Sequence, residues 1–337
     1  MKLIIGRQRI QMEITTSTIS AGELLANAAS RDCLQPAVSV VITLFNYSKF
    51  IGGCLDSVRA SQTEGLPGGF EVVVVDDGST DASAKVVEKY MAAHALPICL
   101  VKKPANSGLA DARNIGLQTA RAPLVFILDA DNEIKPDCLQ EHYHASIASG
   151  CAMVYGRINQ FDHATRKTLG VMSQYEWNVR ELVLHPCVDA MAMIKKDVVL
   201  QLGGYSTEYG MTLPQGWEDY DLCLKLAQAG HSGKLIPKIL SDYRTHPESM
   251  IHVTNCFRRE LSLYFCRKFH VLVQRYPDTA QLFDFSRREL LTSSQQSPRA
   301  PTKLKSKAQK LVHWMLGRKL CRSICKRLAA AYSWMYP

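Results

Sequence analysis

Between Val38 and Ser149 short β-branched runs alternate with longer amphipathic stretches, and this rhythm restricts the fold more than any other feature of the chain. Val38–Leu44, Val72–Val75, Ile98–Lys102 and Leu124–Leu128 read as strands. Lys49–Ser61, Thr80–His94, Leu109–Ala120 and Pro136–Ser149 read as helices. Val72–Val75 has no polar alternation, as expected of a strand covered on both faces. Strands alternating with helices of about 10–15 residues predict an α/β fold, a mostly parallel sheet flanked by helices. After Cys151 the rhythm loosens. Met153–Ile158, Ala190–Lys195 and Leu235–Tyr243 read as strands, Asp197–Leu202 as a short helix, and Trp217–Ala229 as a helix closed by Gly230. The expected organisation is an N-terminal extension over 1–36 without clear periodicity, a main domain over 37–254, a helical extension over 255–297, and a basic linker with a last helix over 298–337.

Charge and composition remove several function classes. The chain has 337 residues and a net charge of +9, but residues 299–337 hold ten Lys and Arg and no acid. The rest carries 30 basic and 31 acidic residues, so a basic body for nucleic acid is not supported. The longest apolar runs are about eight residues, against the ~20 a spanning helix needs. Eleven cysteines without a CxxC pattern read as reduced thiols, and the start is too short and polar for a secretory leader. These features set the expectation of a cytoplasmic protein.

The polar residues that follow the strands carry the chemistry, because open α/β sheets bind ligands beyond their carboxyl ends. Strand one ends in Thr43-Leu44-Phe45-Asn46-Tyr47, strand two in Asp76-Asp77-Gly78-Ser79-Thr80-Asp81, and strand four in Asp129-Ala130-Asp131-Asn132. Asp77 or Ser79 could simply cap the helix beginning near Thr80. Asp129 and Asp131 leave a buried strand as a like-charged pair, which a divalent cation and a diphosphate would relieve. Asn106-Ser107-Gly108 enters a helix whose first amides could face an anion, with Arg113 one turn on. Gly216-Trp217-Glu218-Asp219-Tyr220-Asp221 opens a helix with three acids in four positions. Helix-dipole complementarity would explain one or two of them, and a carboxylate beside Trp217 could act as a general base toward an alcohol. His246, after the last strand, is a candidate metal or diphosphate contact.

In this order these segments, together with Ala112-Arg113-Asn114-Ile115-Gly116, Gly203-Gly204-Tyr205 and Tyr243-Arg244, resemble the family 2 glycosyltransferases over residues 37–250. That family has the nucleotide-sugar-binding GT-A fold. The resemblance implies that Thr43 and Asn46 lie by the nucleotide, that Asp77 reads the base, usually uracil, and that Asn106 and Arg113 contact base or diphosphate. By the same token Asp129 meets ribose or sugar, Asp131 ligates a Mn²⁺ or Mg²⁺ ion on the diphosphate, His246 approaches that metal or the diphosphate, Glu218 holds the acceptor or orients that site, and Asp219 is the base of an inverting displacement. The QxxRW signature of processive members is absent, which implies a single addition to a glycan or lipid-linked acceptor. The donor and acceptor are expected to be chosen by irregular segments at 159–188 and 206–216.

In the tail, Leu316, Leu320, Ile324 and Leu328 recur every four residues and Arg318, Arg322 and Lys326 do so about 200° away. An amphipathic basic helix over 311–337 can lie in an anionic membrane interface or pack on protein, and the first reading places the enzyme peripherally on the cytoplasmic membrane face. A haloacid-dehalogenase phosphohydrolase is disfavoured by Glu133, where that family needs Thr or Val, and a nicotinamide dehydrogenase by the lack of GxGxxG after any strand. A non-catalytic nucleotide- or carbohydrate-binding relative is the remaining alternative.

Overall fold

The computed structural model describes residues 14–19, 22–208, 216–247 and 249–293. The linker at 298–310, the helix over 311–337 and most of the segment at 206–216 lie outside the described residues. Strands and helices are numbered in chain order. β1 (Ile14–Ile19) and β2 (Gly22–Asn27) precede α1 (Ala28–Asp32), and then the expected alternation sets in. It runs β3 (Val38–Leu44), α2 (Ile51–Arg59), β4 (Phe70–Asp76), α3 (Ser83–Ala93), β5 (Ile98–Lys102), α4 (Leu109–Thr119), β6 (Leu124–Asp129).

β5, β4, β3 and β6 pair in parallel in that order, so the chain order reverses at β3. All seven residues of β3 and of β4 are buried. Their side chains alternate between two cores: Val41, Val73 and Val75 pack into one, Val40, Ile42, Val72 and Val74 into the other. Helix α4 lies close on β3. A Cβ on Gly116 would stand 2.3 Å from Val41 Cγ1, so only glycine permits this approach.

Past β6 the sheet becomes mixed. After β7 (Glu133–Ile134) and α5 (Cys138–Ser149), β8 (Met153–Asp162) turns back through β9 (Thr168–Met172). α6 (Val179–Leu184) leads to β10 (Ala192–Lys195), which lies antiparallel between β6 and β8. α7 (Lys196–Gln201), α8 (Glu218–Gln228) and β11 (Gly233–Thr245) follow, and β11 joins β8 in parallel. α9 (Ile251–Cys256), α10 (Arg258–Lys268), α11 (His270–Arg275), the short pair β12 (Gln281–Leu282) and β13 (Phe285–Ser286), and α12 (Arg287–Ser293) complete the described chain.

Two expectations change. Residues 22–32, within the extension expected to lack periodicity, form a sheet strand and a short helix. β2 pairs antiparallel with β5, and the buried Asn27 side chain donates to Leu96 O and accepts from Ser30 N and Ile98 N. This strand has no alternating pattern because its order comes from the edge it joins. The stretch from 159 is also more regular than expected, since β8 and β9 form a hairpin across it. Among the described residues no helix is long and apolar enough to cross a membrane.

Candidate active site

The switch in strand order at β3 brings three strand ends together. Thr43 lies opposite Asp129 and Leu44 opposite Asp76, and such a reversal is where open α/β sheets form a ligand crevice. The Thr43 hydroxyl donates to Asp129 Oδ1 at 3.3 Å. Asp76 is buried, accepts from Ser79 N at 3.1 Å, and is pushed up by that burial.

Several expected donor contacts build the crevice walls. Asn46 sits at φ 57°, and its Oδ1 accepts from Thr80 N (2.8 Å), Asp81 N and the Thr80 hydroxyl, tying the loop after β3 to the loop after β4. Asp77 takes the Lys103 ammonium at 2.5 Å and the Ser107 and Gly108 amides at 3.0 Å each. It therefore holds the entrance of α4, and neither it nor Ser79 caps α3, where Asp81 accepts from Ser83 N. Burial pushes the Asp77 carboxyl up, opposed by Lys103 and those amides. Asn106 is half-buried in the same loop, its amide within 2.6 Å of where a Cβ on Gly78 would be.

Arg113 does not present itself to a ligand as expected. It is 1% exposed, donating through one terminal nitrogen to Glu218 Oε1 at 2.7 Å and through the other to Asp129 Oδ1 at 3.0 Å. The Tyr205 ring lies 5.3 Å from the guanidinium. The neighbouring Asn114 side chain clamps the Tyr205 backbone at N and O. Arg113 thus bridges the end of β6 to the first turn of α8, and those two carboxylates hold its proton more firmly than usual.

That first turn is backbone-strained. Gly216 (φ 104°) and Trp217 (φ 65°) both adopt left-handed conformations, and a non-glycine residue there is a feature of functional turns. Glu218 is buried while Asp219 is half-buried and accepts from Tyr220 N at 2.7 Å. Burial pushes Asp219 up to about 6, reinforced by Asp189 and opposed by Arg113. Burial also raises Glu218, against the pull of Arg113.

Asp189 is the acid that sequence reasoning missed. Antiparallel pairing sets Met193 opposite Phe126, so the residues entering β10 lie beside the carboxyl end of β6. Asp189 is half-buried, with its amide on Ser173 Oγ and its Oδ1 on Met191 N. Burial pushes it to about 6, with Asp129 and Asp131 adding to the rise and Arg113 opposing it. The only trace in the sequence is a lone acid just before an apolar strand, which without the pairing has no address.

On the other flank, Asp131 Oδ2 and His246 Nε2 are 2.9 Å apart, and both residues are buried. The imidazole packs on Phe50 at 4.8 Å and Tyr47 at 5.7 Å, and among the described residues its Nδ1 has no hydrogen-bond partner. The Arg244 guanidinium holds the Asp131 carbonyl at 2.8 Å and pairs with Glu133. Burial raises Asp131, and Asp129 adds to the rise. Among the described residues no group of three His, Cys, Asp or Glu is arranged to hold a metal. A carboxylate oxygen is the ligand type that Mg²⁺ and Mn²⁺ take, and Mg²⁺ is commonly bound through one or two carboxylates with substrate phosphates and water supplying the rest. A surplus of carboxylates over cationic groups favours such an ion and the anion it accompanies.

Comparison with known proteins bears on the family and the fold. Residues 39–203 match the sequence profile described as glycosyl transferase family 2. The chain is 34% identical over 97 residues to a teichoic acid poly(glycerol phosphate) polymerase of Staphylococcus epidermidis, covering 29% of this chain and 13% of that protein. It spans less than two thirds of the length of the curated relatives it first matches. In structure it is similar to S. aureus TarS 1–349 in complex with UDP-GlcNAc, with TM-score 0.55, 18% identity, and 88% and 89% of the two chains covered. It is also similar to the mannosyltransferase PcManGT from Pyrobaculum calidifontis in complex with GDP-Man and Mn²⁺, with TM-score 0.52, 19% identity, and 89% and 83% covered. At these identities the structural likeness is one of fold.

Proposed function

Because the chain is a family 2 glycosyltransferase of GT-A fold, we propose that it transfers one sugar from a nucleoside-diphosphate sugar to a hydroxyl acceptor, with inversion at the anomeric carbon. The observation that carries the reading is the Asp129–Arg113–Glu218 bridge, which ties the strand end of a nucleotide crevice to the turn bearing Asp219. Asp219 accepts the acceptor's hydroxyl proton. The freed oxygen attacks the anomeric carbon, and the bond to the diphosphate breaks with its electron pair passing to the phosphate oxygen. A carboxylate raised to about 6 is still ionised at neutral pH and is a stronger base than an ordinary aspartate. Glu218 and Arg113 fix the turn that aims it.

Asp131 and His246 would hold a divalent cation, which when bound neutralises charge developing on the departing diphosphate. The buried Asp76, Thr43 and the loop at Asn106 face the nucleoside, with uridine as the expected base, in keeping with the UDP-GlcNAc in the TarS structure. The relative named for teichoic acid synthesis supports a cell-envelope glycan or lipid-linked polymer as the acceptor. An anionic membrane surface reached through residues 311–337, at the cytoplasmic face, suits such an acceptor.

The test is release of nucleoside diphosphate from a panel of nucleotide sugars with Mn²⁺ and short glycan acceptors, with the anomeric configuration of the product read by NMR. An inverted product supports the reading. A retained configuration, or binding of a donor with no transfer to any acceptor, contradicts it, and the second outcome favours a non-catalytic binder.

A further inference from the structure

The turn that carries Asp219 is held from behind by residues outside the matched stretch at 39–203. Asp221, two positions along α8 and fully buried, receives the Lys268 ammonium at 2.6 Å and the Ser206 hydroxyl at 2.6 Å, with Lys225 at 3.6 Å. Lys268 also donates to Ser206 Oγ at 2.8 Å and pairs with Glu208 at 2.9 Å, where the Tyr264 hydroxyl joins it. One ammonium on α10 therefore grips the chain on both sides of residues 209–215. One turn earlier on the same helix, Phe265 stacks on Trp217 at 5.6 Å and meets Tyr220 edge-on at 5.3 Å. From α9, Thr254 Oγ1 lies 2.1 Å from where a Cβ on Gly216 would be, so only glycine fits at this position.

Two residues in left-handed backbone are held only where their surroundings over-determine them. We propose that α10 is part of the catalytic unit, and that Lys268 is a positioning residue that holds the Asp219 turn in register by bridging Asp221 to Ser206 and Glu208. The proposal rests on Asp219 acting as the base. A buried carboxylate stripped of its ammonium relaxes toward other partners, and a displacement of about 1 Å at a reacting group lowers turnover on the order of 100-fold.

The experiment compares full-length Lys268→Met, Lys268→Arg and Leu272→Ala. Leu272 is a fully buried core residue on the next helix, α11, and reports simple loss of packing. Lys268→Met is expected to lower kcat by 10- to 100-fold with donor KM changed less than about twofold. Lys268→Arg is expected to recover most of the rate. Leu272→Ala is expected to lower the melting temperature with kcat nearly intact. Amide hydrogen exchange of a peptide over 216–222 is measured on the same samples, and needs no substrate. It is expected to rise in Lys268→Met while the peptide over β3 stays protected. Unchanged exchange at 216–222 in Lys268→Met overturns the proposal, as does a kcat loss no larger than that of Leu272→Ala. A wild-type chain that turns over no donor defeats the base assignment instead, and the exchange measurement then decides the positioning claim by itself.

Discussion

The two halves of the proposed site, a donor half and an acceptor half, are built by different means. The donor half consists of loops that directly follow β3, β4 and β6, and its polar groups are tied to nearby backbone: Asn46 to Thr80 and Asp81, Asp77 to Ser107 and Gly108. The acceptor half is a strained turn whose acids are raised by burial and mutual repulsion, and it is held by Phe265 and Lys268 from far along the chain. A binding wall can be made from local loop chemistry. A base that must stay ionised and aimed needs support from several directions, and Arg113 joins the halves.

The largest effect is expected at the base. Asp219→Asn should lower turnover by about 10³- to 10⁴-fold, while calorimetry with UDP and Mn²⁺ shows donor-side affinity within a few-fold of wild type. Loss of nucleotide affinity in that variant would erase the division between the halves. Breaking the bridge should harm both. Arg113→Met leaves Glu218 and Asp129 facing each other without their cation, and removing one partner of a buried pair costs about 3–5 kcal/mol. Denaturant unfolding and nucleotide calorimetry should both register it.

Acid sharpens the contrast. Asp219 and Asp189 each stand near 6, above the ordinary carboxylate value of about 4. Between those limits the folded state holds more protons than the unfolded one, so their contribution to stability is present at low pH and is lost as pH rises toward 6. Activity runs the other way, rising through about 6 as Asp219 ionises. Asp189→Asn removes a like charge facing Asp219 and should move the acidic limb of kcat/KM to lower pH, with Arg113, Glu218 and Asp129 still in place. A limb that stays put would separate Asp189 from the base. The smallest effect belongs to the donor wall. Thr43→Val removes one 3.3 Å hydrogen bond to Asp129 and should cost about 1 kcal/mol in nucleotide binding or stability.

The same division explains what could be read from the sequence. β3 and β5 stand at their expected limits because β3 is buried throughout and β5 up to Lys102, so a mostly apolar run writes their boundaries. The acids of the donor loops and of Glu218-Asp219 were legible as residue types at strand and helix ends. Their partners were not. That Asp77 serves the α4 entrance and Arg113 spans two elements depends on which loops the sheet order makes neighbours, and a sequence reports neighbours only along itself. Asp189 stayed hidden for the same reason, since its place depends on β10 running antiparallel beside β6. Strand β2, which lies between β1 and β5, carries too little of its own pattern to announce itself, because its neighbours supply its order.

The carboxyl ends of β3, β4 and β6 are proposed to form a metal-assisted nucleoside-diphosphate site that serves Asp219. This is tested most directly by the melting temperature of the chain against nucleoside diphosphates and nucleotide sugars, each with and without Mn²⁺. Ligand at 100 times Kd adds about 2.7 kcal/mol to the folded state, a shift of several degrees. A site of this kind gives a rise with one class of nucleotide that requires Mn²⁺ and disappears in Asp131→Ala. A folded chain that shows no shift with any nucleotide, or the same shift without the ion and in Asp131→Ala, would contradict it.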